Sequence, residues 1–241
     1  MTFSADLAIA AATLFSAGFS RGFSGFGAAL VAMPILAILY GPVDAVVIMT
    51  LIEIPATALL LPTVARQADW RAIMPLGLAS LVTIPVGGWI LVSVDTEILQ
   101  KAIGALVLLF AVLLATGWQY RRPPTLPVLA GVGGISGLIG GAANMSGPLV
   151  VVFLMAGSNT ARQVRAGVMA YFTFSTLLRA AVYGAYGLFA SSVLWLAGIL
   201  ALPYLLGTWT GSHLFKGVSE RLFRIAVLLL VAIMGFVALL W

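Results

Sequence analysis

The sequence predicts an all-α polytopic membrane protein: two inverted repeats, each a re-entrant, broken-helix hairpin plus three transmembrane helices. Hydrophobic residues make up 62% of the 241, charged residues 8%, and mean hydropathy is +1.16, far outside the range of soluble domains. Eight apolar segments are long enough to matter in a bilayer whose core takes about 20 helical residues. They lie near 5–40, 43–64, 72–94, 98–118, 127–157, 164–189, 191–214 and 221–240. The third observation is where the basic residues fall between them.

The first and fifth segments are the long ones, and glycines interrupt both. The first holds Gly18-Phe19-Ser20-Arg21-Gly22-Phe23-Ser24-Gly25-Phe26-Gly27, and the fifth holds Gly131-Val132-Gly133-Gly134-Ile135-Ser136-Gly137-Leu138-Ile139-Gly140-Gly141 followed by Asn144-Met145-Ser146-Gly147-Pro148. Each glycine in a helix interior costs about 1 kcal/mol relative to Ala. Such glycines fit either close helix packing of the small-xxx-small kind, as the Gly18 to Gly22 spacing suggests, or a break that turns the chain back.

Charge distinguishes these readings through the excess of Lys and Arg on the cytoplasmic face. If every segment crosses once, Arg66, Arg71, Arg121 and Arg122 face Lys101, Arg162, Arg165, Lys216, Arg221 and Arg224 across the membrane, with almost no bias. If the first and fifth segments turn back, all of these except Lys101 share one face. Arms of about 13–17 residues are short for full crossings, so re-entrant half-helices fit best. Parity by itself does not separate them from two short crossings.

Each half then holds one hairpin and three spans, so the halves run in opposite directions. Residues 1–118 form the first repeat, 119–126 a cytoplasmic linker stiffened by Pro123-Pro124, and 127–241 the second, inverted repeat. Internal similarity pairs Ser24-Gly25 with Ser136-Gly137, Gly41 with Gly157, and Pro85 with Pro203. Both termini fall outside the cytoplasm of a bacterial plasma (inner) membrane, together with Asp6, Asp44, Asp95 and Glu97. Residues 1–6 contain no Lys or Arg, so the apolar run after them is expected to belong to the fold and not to a leader. Trp70, Trp118 and Trp195 fall at span ends and read as interfacial anchors.

Composition also excludes functions. The net charge of +5 is scattered between apolar segments, which makes the lipid bilayer the partner and not a nucleic acid. With no cysteine and the single His213, thiol chemistry and a multi-histidine metal site are excluded, and no cofactor or metal is expected. The run from Gly133 to Gly141 lacks the Gly-Lys-Ser/Thr of a phosphate loop. No nucleophile, base and orienter are spaced for catalysis, so the chain does not read as an enzyme. Nothing in it sets an oligomeric state.

Irregular backbone inside a bilayer must be covered by protein or a polar cavity. Two inverted hairpins are therefore expected to meet near the midplane, where the second arms begin at Ser24-Gly25-Phe26-Gly27 and at Ser146-Gly147-Pro148. Their free N–H groups and positive dipole ends favour a small anion. Ser24 and Ser146 read as N-caps and Pro148 as a first-turn proline. Arg21 reads as a bidentate anion ligand or as a side chain that snorkels to water, and Asn144 as the polar candidate of the second hairpin. Glu53 and Arg179 lie near the middle of full spans, where a charge needs a partner. They are either a mutual structural pair or a proton-carrying carboxylate and an anion ligand. Tyr171, Thr173 and Ser175 alternate along the sixth segment and are candidates to line a path.

These glycine stretches and prolines, Gly22-Phe23-Ser24-Gly25-Phe26-Gly27 with Pro34 and Gly134-Ile135-Ser136-Gly137-Leu138-Ile139-Gly140-Gly141 with Pro148, resemble the duplicated signature of the sulfite exporter TauE/SafE family. Gln67-Ala68-Asp69-Trp70-Arg71 is similar to that family's pattern before the third span. The chain departs from the pattern at Ala28-Ala29 and Ala142-Ala143-Asn144, where further glycines are usual. The resemblance implies secondary transport of sulfite, organosulfonates or related anions. The resulting expectation is a secondary transporter of a small sulfur-containing anion, coupled to protons, working by alternating access as one half rocks against the other. A passive anion channel and a non-transporting membrane scaffold are the alternatives. Single cysteines placed at Arg66 and Lys216 are expected to react with an impermeant maleimide from the same face of the membrane; labelling from opposite faces would exclude the inverted hairpins.

Overall fold

The structure is a computed structural model that describes residues 3–64, 66–116, 120, 124–155 and 160–215. Among the described residues it is all-helical, with nine helices and no strand. The eighth predicted segment, Trp118, the Arg121-Arg122 pair, Gly157, Lys216, Arg221 and Arg224 lie outside the described residues.

Helix α1 (Phe3–Ser24) ends where Gly25 and Gly27 take φ of 88° and 87°, and α2 (Ala28–Tyr40) follows at once. Glycine reaches that left-handed region without the Cβ penalty, so these two positions make the break. Gly41, at φ 81°, separates α2 from α3 (Pro42–Val64), which starts on a proline whose missing N–H is an orphan there in any case. Helix α4 (Trp70–Ser93) is capped by the Asp69 carboxylate, which accepts from the Arg71 N–H at 3.1 Å. Helix α5 (Thr96–Ala115) carries an exposed Glu97 to Lys101 pair at 2.6 Å.

The second half opens with α6 (Leu126–Ala143), whose break is made by Asn144 at φ 59°, and continues in the short α7 (Gly147–Leu154). Helix α8 (Ala161–Ala185) begins with a reciprocal capping box between Thr160 and Gln163. Gly187, at φ 70°, turns the chain into α9 (Ser191–Phe215). Helices α4, α6, α9 and residues 96–113 of α5 are long and apolar enough to cross a bilayer.

The hairpin arms are less equal than the glycine pattern suggests. Helix α1 has 22 residues, roughly 33 Å at 1.5 Å per residue, and α6 has 18, whereas α2 has 13 and α7 only 8. Gly18 and Gly22 stay helical because a neighbour takes the space of their missing side chains. A Cβ on Gly18 would overlap the Tyr204 carbonyl oxygen, and one on Gly22 the Thr208 carbonyl. Gly207 and Gly211 of α9 receive the carbonyls of Phe15 and Phe19 in the same way. On the other side Gly133, Gly137 and Gly141 of α6 lie against Leu76, Ser80 and Ile84 of α4, and Gly87 of α4 lies against Leu138. Close packing therefore accounts for Gly18, Gly22, Gly133, Gly137 and Gly141, and the break for Gly25 and Gly27. Ser136-Gly137, paired with Ser24-Gly25 from sequence, sits inside α6; the residue that ends α6 as Gly25 ends α1 is Asn144.

The contacts ascend in step along both partners, so α1 runs parallel to α9 and α6 parallel to α4. Helix α8 also runs parallel to α4, since Ala68, just ahead of α4, meets Ala166 and Met169, Gly77 meets Phe174, and Gly88 meets Val182. This puts Arg66, in the loop before α4, and Arg71, in the first turn of α4, at the same end of the bundle as Arg162 and Arg165. A single crossing of the fifth segment would have separated them. The central contact is α3 against α8.

Replacing Gly22 with Ala is expected to lower stability by about 1–3 kcal/mol, the usual range for overpacking, because the Thr208 backbone cannot give way. At Gly104 and Gly131, helical positions with open space around the missing side chain, Ala should instead stabilise by about 0.5–1 kcal/mol. Thermal unfolding of the three variants in detergent checks both signs.

Candidate functional site

The site is built around Glu53, halfway along α3 and 2% exposed. Its carboxylate accepts from Arg21 Nη1 at 2.7 Å through one oxygen and from Arg179 Nη2 at 2.9 Å through the other. The Thr176 hydroxyl donates to the second oxygen at 3.2 Å. Arg21 and Arg179 are themselves 2% and 0% exposed. Two buried cations thus share one buried anion, and the cluster carries a formal charge of +1.

The end of α1 and the body of α8 supply the cations. Arg21 is in the last turn of α1, where the negative end of the helix dipole favours a cation, and from there it reaches Glu53. Its Nη2 donates to Thr57 Oγ1 at 3.0 Å, and its guanidinium lies over the Phe172 ring at 4.9 Å. It does not snorkel to water. Arg179 also donates to Thr176 at 3.0 Å, but its Nη1 and Nε have no partner. Nη1 looks toward Gly140, where an added Cβ would fall 3.3 Å from it and 3.3 Å from the Ser146 hydroxyl.

The two breaks meet here. An added Cβ on Gly147 would lie 3.5 Å from the Phe26 Cβ and 3.1 Å from the Phe172 ring. Between the breaks is a cavity of about 10 Å³ for the centre of a water molecule, which is room for about one water. It is lined by Arg21, Glu53, Phe172, residues 26–30 around the start of α2, and Asn144, Met145, Gly147 and Pro148 around the start of α7. Asn144 is 2% exposed and neither amide atom of its side chain has a partner. A buried amide without partners is costly.

Other expected residues act differently. Ser24 closes α1 and does not cap α2: its hydroxyl reaches the carbonyls of Ser20 and Phe26, each at 2.8 Å, and accepts from the Phe26 N–H at 3.3 Å. The N-cap of α2 is Gly27, with no side-chain bond. Ser146 does occupy the N-cap position of α7, also without a side-chain bond, and Pro148 is in its first turn. The Gly25 N–H is taken by the Arg21 carbonyl at 2.8 Å, and Gly25 lies on Arg165, whose Nη2 donates to the Gly22 carbonyl at 2.6 Å.

Tyr171 is buried against α4, where its hydroxyl meets that of Ser80 at 2.9 Å. Thr173 and Ser175 bond the backbone of their own helix, to the Met169 and Phe172 carbonyls. Reading alternate residues applies a strand period to a helix. The face that α8 turns to the cluster is Phe172, Thr176 and Arg179, at i, i+4 and i+7, a spacing visible in the sequence. His213, at the far end of α9, is exposed and contacts Trp209.

Fold and site together define the class: an integral membrane protein, a polytopic helical bundle with a charged cluster buried where two broken helices meet. The model of the sulfite exporter TauE/SafE family matches residues 9–238, and the chain belongs to that family, whose members are membrane transporters of sulfur-containing anions. Comparison with curated proteins and with solved structures finds no match.

Removing one member of the cluster should be worse than removing a matched pair. Glu53→Ala leaves two buried cations unpaired and is expected to cost about 3–5 kcal/mol. Adding Arg179→Met to Glu53→Ala should recover part of that loss, as read by a double-mutant cycle of thermal unfolding.

Proposed function

We propose that this chain is a secondary transporter of a small anion of the sulfite or organosulfonate class, coupled to protons, with its substrate held where the two breaks meet. The observation that carries this reading is the charge of the buried cluster, two guanidiniums against one carboxylate. An excess cation is unfavourable inside a membrane protein, and a singly charged oxyanion neutralises it. The unpartnered donors of Arg179 and Asn144 and the starts of α2 and α7 beside the cavity support the same reading.

In this mechanism the anion takes hydrogen bonds from Arg21, Arg179, Asn144 and Ser146 and from the backbone near Gly27 and Gly147. Ser24, Gly25 and Phe26 hold the shape of the first break, and Tyr171 supports α8 from behind. Glu53 carries the proton. A proton on its carboxylate removes the charge that binds both arginines and leaves their N–H groups for the anion; the cluster rises to +2 and a bound oxyanion brings it back to +1 or, for doubly charged sulfite, to zero, so proton and anion load together. Alternating access around this site moves them across.

The inverted-repeat reading, with repeats at 1–118 and 127–241 and both termini outside the plasma membrane, is supported by the exchanged pairings of α1 with α9 and of α6 with α4. The shared end of the loop at Arg66 and the start of α8 supports the orientation.

Sulfite, thiosulfate and small sulfonates are expected to raise the melting temperature of the purified protein, where acetate and sulfate do so less. A ligand at about 100 times its Kd adds roughly 2.7 kcal/mol. In proteoliposomes a pH gradient should drive sulfite uphill, and Glu53→Gln should abolish the pH dependence. Downhill flux indifferent to pH would identify a passive channel instead, and absence of both flux and stabilisation would leave the cluster a purely structural feature of a scaffold.

A further inference from the structure

The two sequence halves are not the units into which the helices are most tightly joined. The two most extensive helix pairings, α1 with α9 and α4 with α6, each link one half to the other. Both are backbone against backbone, at Gly18, Gly22, Gly207 and Gly211 in the first, and at Gly133, Gly137, Gly141 and Gly87 in the second. An interface without side chains between its helices has no give: a shift of a single residue sets a Cβ against a carbonyl oxygen, and interiors respond to such overlap as rigid bodies.

We infer that the bodies which move against each other are two exchanged bundles: α1, α2, α3, α5 and α9 in one, and α4, α6, α7 and α8 in the other. This rests on the transporter reading, and it replaces the rocking of one sequence half against the other. Helices α2 and α3 pack on α1 and α9, and α5 packs on α2 and α3; α8 packs on α4, and α7 packs on α6 and α8. Across the boundary the extensive contact is α3 with α8.

Helix α8 packs on α3 as extensively as on α4, so the boundary differs in kind and not in size. Its polar centre is made of the ends of rotatable side chains: Arg179 and Thr176 on Glu53, Phe172 over Arg21, and Arg165 on the Gly22 carbonyl. Such contacts re-pair by changing rotamer, whereas the glycine seams have no alternative register. Among the described residues the Arg179 to Glu53 bond is the one salt bridge that joins the two bundles; the Arg21 to Glu53 bond lies within the first. The cavity sits on the boundary too, with Arg21, Phe26 and Glu53 from one bundle and Asn144, Gly147 and Phe172 from the other. A guest there takes ligands from both bodies, and when it or a proton releases Glu53 from Arg179, the salt bridge that holds them together opens. The site residues thereby divide into two sets that separate as access alternates.

The absence of cysteine lets nitroxide pairs be placed directly in the natural chain. Suitable lipid-facing sites are Phe15 on α1, Leu206 on α9, Val82 on α4 and Ile135 on α6, exposed by 42%, 50%, 72% and 55%. Distances are read by pulsed electron resonance in the full chain, with and without sodium sulfite, and in Glu53→Gln without sulfite. The expected result is a shifted or second distance population for Phe15 to Val82 and for Leu206 to Ile135, with Phe15 to Leu206 and Val82 to Ile135 unchanged. Movement within α1 to α9 or α4 to α6 would overturn the inference, as would four fixed distances in both arms. If sulfite moves nothing while Glu53→Gln shifts only the two boundary pairs, the exchanged bundles stand and sulfite falls as the substrate.

Discussion

Glu53 is shared by two arginines that approach it from different helices, and much of the interior is arranged to make that possible. Arg21 comes from the end of α1 and Arg179 from the inner half of α8, and neither reaches water. Three charged groups in a low-dielectric interior are tolerable only when each has close partners. That requirement explains why hydroxyls of Thr57 and Thr176 and the face of Phe172 line the same spot. The break that follows Ser24 brings Phe26 against the start of α7. The leftover positive charge distinguishes the cluster from a balanced ion pair.

Glycine serves two opposite purposes in this chain, and the distinction is conformational. At Gly25 and Gly27 it supplies a backbone angle that ends a helix, and Asn144, the other residue type that tolerates this region, does so in the second half. At Gly18, Gly22, Gly133, Gly137 and Gly141 it remains helical and lets another backbone lie directly on it. In a bilayer, where apolar side chains gain little by leaving lipid, such close approach supplies the dispersion and weak Cα–H to carbonyl contacts that bind helices together. The seams fall between the halves of the chain, so folding ties the first half to the second at two places before the polar centre is considered.

Much of this was legible from residues in order. The composition and the long apolar segments indicated a helical membrane protein, and the basic residues at 66, 71, 162 and 165 indicated that the fifth segment turns back, in keeping with their shared end of the bundle. Glu53, Arg179, Arg21 and Asn144 stood out because polar groups amid apolar runs need a reason to be there. What was not legible was partnership. Arg21 had two plausible fates, and Glu53 had one expected partner where it has two. Phe172 and Thr176 carried neither charge nor rarity to set them apart, and only the helical period from Arg179 marks them. Ser24 resembled a cap, but its hydroxyl is engaged by the carbonyls of Ser20 in its own helix and of Phe26 within the break.

Residue order was enough for the class of fold, the places where helices are weak and the presence of charge within apolar spans, because hydropathy, backbone propensity and charge belong to residues one by one. Tertiary structure alone decided which of the weak places become breaks and which become seams. A glycine has the same local preference in both, and the outcome depends on whether another helix arrives to fill the space of its missing side chain. It also decided that Glu53 bridges the two arginines and that the tightest pairings exchange partners between halves, since these are matters of approach across distances that no local pattern encodes.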